Sequence, residues 1–317
     1  MRVAMIDTNY LEWVFDSNTS VSPTGIYSWV RALGAQRWLW GETRREQSLE
    51  IDAIYVNIAP DNLNADLIPQ IRKRFPDIPL VVSVDYSVAL WREKYHIPTL
   101  RRALLYADVI FGAEPSIVRL TSYICSRNVA LLPHPVDIRG IEAMRTKPTK
   151  RVLGFVHRYD GEWLMPALVC HGITCETAAI VAGDNDPVAT LCKGWFDTAR
   201  HGWANIDQHL KHERAPLFAC VDSYHGVPAM GRIQMENAVL GVPTIGTSDV
   251  YMQKHLWPGL TTDSFDVPTQ RHLLERILDD TSFREAQKND ARAAVQPYGL
   301  QESKGRFEAL VREVTDV

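Results

Sequence analysis

The chain has 317 residues, of which 46% are hydrophobic and 23% are charged, as is ordinary for a globular protein. Its apolar runs are far shorter than the roughly 18 residues of a membrane-spanning helix, and we recognise no signal peptide. The net charge of −4 excludes a strongly basic nucleic-acid-binding protein. This charge divides into +2 for residues 1–150 and −6 for residues 151–317.

Short runs rich in valine, isoleucine and alanine alternate with amphipathic stretches, which is typical of parallel strands covered by helices. The predicted strands are residues 3–6, 53–58, 80–84, 109–111, 129–132, 152–156, 178–181, 217–221 and 243–245. The predicted helices are residues 26–39, 63–75, 99–106, 116–126, 231–240, 269–278 and 301–315.

The polar, proline-containing segment at residues 144–152 predicts a linker. We therefore expect two α/β domains with Rossmann-like, doubly wound sheets, one over residues 1–148 and one over residues 149–317. Ligands bind at the carboxyl ends of the strands in such sheets, so this arrangement predicts a cleft between two facing domains. We expect the terminal helix, residues 301–315, to pack back toward the N-terminal domain.

The five cysteines are odd in number and form no Cys-x-x-Cys pair, which predicts reduced thiols in a cytoplasmic protein. Two further groups contain residue types that bind metals. Asp184-Asn185-Asp186 is followed by Pro187, which favours a turn, and His209 and His212 lie on a polar helix. No metal site is predicted.

The most specific segment is residues 219–246, ACVDSYHGVPAMGRIQMENAVLGVPTIG. It combines a strand, a short loop, a helix with one glutamate, and a Gly-Val-Pro entry into the next strand. It resembles the nucleotide-sugar site of retaining glycosyltransferases with the GT-B fold (glycosyltransferase group 1, family-4-like). Residues 107–137 and 152–158 resemble further motifs of that family, in the same order along the chain.

The resemblance implies a fold class and an activity. The fold is α/β, with two Rossmann-like domains facing across a cleft. The activity is that of a hexosyltransferase-like enzyme (EC 2.4), which moves a sugar from a nucleoside-diphosphate sugar, expected to be a UDP-sugar, to an acceptor hydroxyl with retention. The C-terminal domain would bind the donor and the N-terminal domain the acceptor. No metal or further cofactor is implied.

Four residues of the 219–246 segment are candidates for binding the donor, with Arg232 as a secondary candidate. Gly231 opens the helix, and Arg232 and Ile233 form its first turn, where free N–H groups and the helix dipole favour phosphate oxygens. The resemblance implies that the carboxylate of Glu236 accepts hydrogen bonds from ribose hydroxyls. The alternative for Glu236 is a solvated helix residue.

The remaining candidates lie elsewhere in the chain. The resemblance implies that Arg158, with His157 beside it, faces the phosphates. Gly25 stands where the family has a glycine-rich loop, and Gly183 lies in a loop expected near the nucleotide base. Asp85 follows the strand at residues 80–84 and is expected to orient an acceptor hydroxyl or the donor sugar, the alternative being a helix or turn cap. The predicted catalytic set is Asp85 and Arg158 together with the helix glutamate.

The sequence also departs from the family pattern. Pro228 stands where the family has a second glutamate, residues 159–163 lack its lysine, residues 133–137 read PHPVD instead of PNGVD, and Asp85 replaces a histidine. These departures leave open a non-catalytic binding or scaffold protein. A phage-type DNA-base glycosyltransferase and a sugar-nucleotide epimerase are further alternatives. The acceptor (a glycan, a protein, a small molecule or modified DNA) and the oligomeric state also stay open.

Overall fold

A computed structural model describes residues 1–7, 20–22, 25–40, 50–58, 67–85, 96–149, 152–156, 164–170, 173, 175–179, 197–200, 206–222, 225–226 and 228–315. The chain folds into two units. Unit 1 comprises Met1–Ser17, Thr24–Pro135 and Tyr298–Val317, and unit 2 comprises Asn18–Pro23 and Val136–Pro297. No helix in the described part of the chain combines the length and apolarity that crossing a membrane requires.

Unit 1 contains a six-stranded parallel sheet with the order β2-β1-β3-β4-β5-β6. Its strands are β1 (Val3–Asp7), β2 (Gln36–Leu39), β3 (Ala53–Ile58), β4 (Leu80–Val84), β5 (Val109–Gly112) and β6 (Ala130–Leu131). Its helices are α1 (Gly25–Leu33), α2 (Leu67–Arg74), α3 (His96–Leu104), α4 (Pro115–Cys125) and, from the end of the chain, α12 (Leu300–Thr315).

The central strands of unit 1 are buried on both faces. Residues of β3 alternate between two apolar clusters, with Ile54 and Val56 in one and Tyr55 in the other. The second cluster includes Trp29 of α1 and Phe307 of α12, whose ring centroids are 5.7 Å apart. Such two-sided burial explains why these strands are continuous apolar runs without a polar alternation.

Unit 2 contains a second six-stranded parallel sheet, with the order β12-β11-β10-β7-β8-β9. Its strands are β7 (Val152–Val156), β8 (Cys175–Ala179), β9 (Asp197–Arg200), β10 (Ala219–Asp222), β11 (Thr244–Thr247) and β12 (Thr261–Thr262). Its α-helices are α5 (Ile138–Glu142), α6 (Leu164–Cys170), α7 (Ile206–Gln208), α8 (Arg232–Leu240), α9 (Tyr251–Leu256), α10 (Val267–Asp279) and α11 (Thr281–Val295).

Three short helical segments complete the fold. A π-helical segment, His209–Arg214, continues α7, and 3-10 turns occupy Pro258–Leu260 and Gln296–Tyr298. The strand order of the sheet in unit 2 reverses between β7 and β10, and that of the sheet in unit 1 reverses between β1 and β3. Each reversal marks the part of the carboxyl edge where doubly wound sheets bind ligands.

The predicted strands at residues 53–58, 80–84 and 152–156 are confirmed at both ends. The predicted helix at residues 26–39 is wrong in its second half. Helix α1 ends at Leu33, and Gly34 has a φ of 59°, a left-handed conformation that ends the helix before β2 begins. The sequence also missed the strands β2, β9 and β12 and the helices α5, α6, α7, α9 and α11, and it placed the strand of residues 175–179 slightly too late.

The division between the units falls at Pro135, earlier than the boundary at residue 148 that the polar linker indicates. The intervening segment packs on unit 2. Arg145 donates from Nε to the Val239 carbonyl at 2.7 Å, and the Thr149 N–H donates to the Pro216 carbonyl at 2.8 Å. The composition of this segment indicates a linker, but its residues already form hydrogen bonds with unit 2.

Candidate functional site

Helix α8 begins at the carboxyl edge of the sheet in unit 2. Strands β7 and β10 pair in parallel, with Phe155 opposite Asp222. The loop after β10 leads to Gly231, the N-cap of α8, which has no side chain to satisfy the first N–H groups of the helix. These groups lie at the edge where ligands bind in such folds, and they suit an anion.

Gly231 is required by its own conformation. Its φ is 94°, which side-chain-bearing residues rarely adopt. A Cβ atom at this position would lie 2.5 Å from Cγ1 of Val250 and 2.8 Å from Oε1 of Gln234. Side chains of the protein itself therefore pack closely against this glycine. Its contact with a phosphate is part of the proposed function.

Glu236 lies on α8, buried between two arginines. Arg232, one turn earlier, donates from Nε to Oε1 at 2.7 Å, and Arg214 donates from Nη1 to Oε2. The Glu236 side chain is only 4% exposed. The alternative of a solvated helix residue is therefore excluded, and the carboxylate is the centre of an Arg-Glu-Arg triad.

The triad keeps Glu236 ionised. Burial by itself raises the pKa of this carboxyl, but the charges of Arg232 and Arg214 and their hydrogen bonds outweigh it, so that the pKa is below its ordinary value of 4.5. Two guanidinium groups and one carboxylate leave a local charge of +1. This positive charge lies in the half of the chain whose net charge is −6.

Arg232 also binds the segment that precedes α1. Its Nη2 donates to the Ser22 carbonyl, and its Nη1 is buried without a hydrogen-bond partner among the described residues. The N–H groups of Ser20 and Val21 donate to the carboxylate of Asp207 on α7. Residues 20–22 are therefore held to unit 2 by two side chains, one of which touches the buried glutamate.

A second polar group lies at the same edge, after β10 and β11. Nδ1 of His225 accepts the Phe265 N–H at 2.8 Å, and Asp249 accepts from the Gly226 N–H at 2.7 Å and from the Ser264 hydroxyl. Burial lowers the pKa of His225 below 6.5, although Asp222 and Asp249 act in the opposite direction. This histidine is therefore neutral at pH 7, with its proton on Nε2.

The carboxyl edge of unit 1 brings three residues together. Asp85 follows β4, and its N–H extends the ladder by donating to the Ile58 carbonyl at 3.0 Å. Nε2 of His134 lies 3.2 Å from Oδ1 of Asp85. The His134 ring packs against Gly25, the first residue of α1, so closely that a Cβ atom at Gly25 would overlap with it.

The structure thus places the predicted site residues in two groups. Gly231, Arg232, Ile233 and Glu236 lie together on α8, and Gly25 and Asp85 lie together in unit 1. His157, Arg158 and Gly183, also predicted for the site, lie outside the described residues.

Sequence reasoning missed two residues of these groups. Arg214 ends the π-helical segment before β10, where its sequence neighbours are polar and nothing distinguishes it from a surface arginine. His134 was seen only as a departure from the family pattern. The signal that points to it is its position between Pro133 and Pro135, which restrict the backbone on both sides of the imidazole.

Proteins similar to this chain are found among solved structures. No family model matches the chain, and no curated protein does. Among solved structures, Anabaena HepE in complex with UDP is similar, with a TM-score of 0.70 and 12% identity, covering 99% of this chain and 100% of that one. The UDP-glucose complex of Anabaena HepE has a TM-score of 0.69 at 12% identity, with 100% of both chains covered. The trehalose-6-phosphate synthase OtsA has a TM-score of 0.71 at 10% identity, covering 100% of this chain and 99% of that one.

These matches extend over the whole length of the chain, and the structures concerned have the GT-B fold. The expected fold class, α/β with two Rossmann-like units, is confirmed. At 10–12% identity the similarity shows the fold alone.

Proposed function

We propose that the chain is a glycosyltransferase that moves a sugar from a UDP-sugar to an acceptor hydroxyl, with retention and without a metal ion. The observation that carries this proposal is the start of α8. A glycine N-cap and a buried, ionised Glu236 lie at the carboxyl edge of a sheet, in a fold shared over its full length with UDP-bound HepE.

In this proposal α8 binds the donor. The free N–H groups after Gly231, and the guanidinium of Arg232, face the diphosphate, while Glu236 binds the ribose. Arg158 and His157 add positive charge to the phosphates, and Gly183 lies near the base. Negative charge grows on the nucleotide as its bond to the sugar breaks, and donors fixed in advance stabilise that charge most effectively.

Unit 1 binds the acceptor in this proposal. Asp85, with its side chain 19% exposed beside His134, orients the acceptor hydroxyl by accepting its hydrogen bond. Because Gly25 has no side chain, the start of α1 can pack closely against His134. Retention follows if the acceptor attacks from the same face that the nucleotide leaves. The departing phosphate then takes the acceptor proton, so no separate base is needed.

Ligand-induced stabilisation tests the donor part of the proposal. We expect UDP at millimolar concentration to raise the melting temperature, because a ligand that binds only the folded state stabilises it. GDP and ADP are the comparison ligands. Incubation with UDP-glucose should release UDP, and Glu236→Gln should suppress this release. No shift with any nucleotide would contradict the proposal.

A second candidate function is that of a UDP-sugar-binding protein without transferase activity. It is favoured by Pro228, which stands where the family has a second glutamate. The two functions differ in one readout. The binding protein would be stabilised by UDP-glucose but would release no UDP from it, whatever acceptor is supplied.

We also propose a cytoplasmic location. Its support is the cysteine pattern, with an odd total and with Cys125, Cys170 and Cys220 present as buried thiols.

A further inference from the structure

Arg214 is a buried arginine whose donors all point to one helix. Its side chain is 2% exposed. Nη1 donates to the Glu236 carboxylate, Nη2 donates to the Ile233 carbonyl at 3.0 Å, and Nε and Nη2 donate to Oδ1 of Asn237 at 2.9 and 2.6 Å. The guanidinium therefore binds three residues within little more than one turn of α8.

Two of these contacts fix Arg214 independently of the glutamate. Nδ2 of Asn237 donates onward to the Thr244 hydroxyl of β11 at 2.9 Å, so the asparagine is itself held from both sides. The Ile233 carbonyl belongs to the backbone of α8. Because Arg214 is anchored by these groups, it can impose one orientation on the carboxylate of Glu236.

Arg232 is a different kind of partner. Its side chain is 20% exposed, and it divides its donors between Glu236 and the Ser22 carbonyl. Arg232 is thus more exposed than the carboxylate that it binds. Arg214 is thus the inner partner of the glutamate and Arg232 the outer one.

The carboxylate retains capacity for a ligand. Its two oxygens offer about four lone-pair positions. Among the residues that the structure describes, Arg214 occupies one position on Oε2 and Arg232 occupies one on Oε1. The two remaining positions match the two neighbouring hydroxyls of a ribose in number, whereas a 2′-deoxyribose supplies only one hydroxyl there.

We propose that Arg214 is a positioning residue, which holds the Glu236 carboxylate in the orientation that accepts both hydroxyls of a ribose. The site then selects ribonucleoside diphosphates over their 2′-deoxy forms. This inference rests on the proposed function, since it assumes that a nucleoside diphosphate binds at α8. An arginine that only stabilised the fold would leave the preference between the two sugars unchanged.

Calorimetric titration with UDP and with 2′-deoxyuridine diphosphate tests the proposal. The full-length wild type should bind UDP about tenfold more tightly, a preference of the size expected for one hydrogen bond to a charged group. Arg214→Met should reduce this ratio to about one while 2′-deoxyuridine diphosphate still binds, and Arg214→Lys should give an intermediate ratio. Glu236→Gln should also lower the ratio.

The control is Arg72→Met in unit 1, which likewise removes an arginine paired with a carboxylate, that of Asp108. It should lower the melting temperature and leave the ratio unchanged. If Arg214→Met does not fold, the ratio measured for Arg214→Lys decides. A wild-type ratio that persists in the folded Arg214 variants overturns the role of Arg214. Equal wild-type affinity for both ligands overturns the ribose contact, and a wild type that binds neither overturns the proposed function itself.

Discussion

The imidazole of His134 lies 3.2 Å from the carboxylate of Asp85 and packs against the first residue of α1. In the glycosyltransferase family that the sequence resembles, a histidine stands at the position of Asp85. In the PHPVD segment, His134 stands where that family has an asparagine. An imidazole and a carboxylate therefore meet at the carboxyl edge of unit 1, although neither lies where the family pattern indicates. Two predictions concern this pair.

The first prediction is that Gly25→Ala disrupts the pair. The new Cβ atom would overlap with the His134 ring, so the ring or helix α1 must shift, which disturbs the contact with Asp85. We expect a loss of stability of about 1–3 kcal/mol, as for other overpacked sites, and a fall in UDP release from UDP-glucose. Urea unfolding and a UDP-release assay measure the two effects.

Gly305→Ala is the matched control. Gly305 lies within α12, and a Cβ atom there would meet nothing within 4 Å. Alanine should therefore stabilise the helix by about 0.5–1 kcal/mol without affecting UDP release. If both alanine variants gained stability, the contact between Gly25 and His134 would be refuted.

The second prediction separates the members of the pair. Asp85→Asn removes the charge of the group that is proposed to orient the acceptor. We expect the rate of UDP release to fall at least about tenfold, which corresponds to a loss of about 1.4 kcal/mol. His134→Gln keeps an N–H donor beside Asp85 and should lose less. Affinity for UDP alone should stay at the wild-type value in both variants, and a large loss of that affinity would argue against an acceptor role.

A third prediction concerns Gly231. Its φ of 94° and the close Val250 side chain together make Gly231→Ala unfavourable. The left-handed conformation alone costs about 1–2 kcal/mol for a residue with a Cβ atom. Chemical denaturation should show at least that loss, and UDP affinity should fall because the start of α8 shifts. A Gly231→Ala variant as stable as the wild type would contradict the left-handed conformation of this residue.

A fourth prediction is a pH dependence that His225 causes. Burial holds its folded-state pKa below the unfolded value of 6.5. The unfolded chain thus takes up this proton first as the pH falls, so the contribution to stability is complete above pH 6.5 and declines as the pH drops toward the folded-state pKa. Urea unfolding between about pH 7.5 and 5 measures the decline.

His225→Asn is the variant for this test, because its amide oxygen can still accept the Phe265 N–H that Nδ1 accepts in the wild type. The difference between the two curves isolates the contribution of His225. We expect that difference to shrink as the pH falls. Parallel curves over the whole range would show that His225 carries no buried, neutral imidazole.

The sequence predicts the strands well where burial on both faces leaves a continuous apolar run, as in β3 and β4. It fails where local and tertiary signals compete. The residues of α1 and β2 form one amphipathic stretch that Gly34 divides, and α11, with its mostly polar composition, has too few apolar residues for a clear helical pattern.

Among the site residues, too, the sequence indicates some and misses others. Gly231 and Glu236 are recognisable because they belong to one short segment, whose glycine and helix lie in a fixed order. Arg214 and His134 reach their partners only through the tertiary fold, from 22 and 49 residues away along the chain. Arg214 leaves no local pattern, and the two prolines beside His134 mark that residue without indicating its partner.

The central claim, that α8 binds a nucleoside diphosphate through Glu236, is tested most directly by titrating UDP into the wild type and into Glu236→Gln, with folding checked by circular dichroism. We predict saturable binding to the wild type and at least about tenfold weaker binding to the variant, since a charge-assisted hydrogen bond contributes about 1.5–3 kcal/mol. Equal affinity of the two proteins for UDP, or no binding to the wild type at millimolar concentration, would contradict the claim.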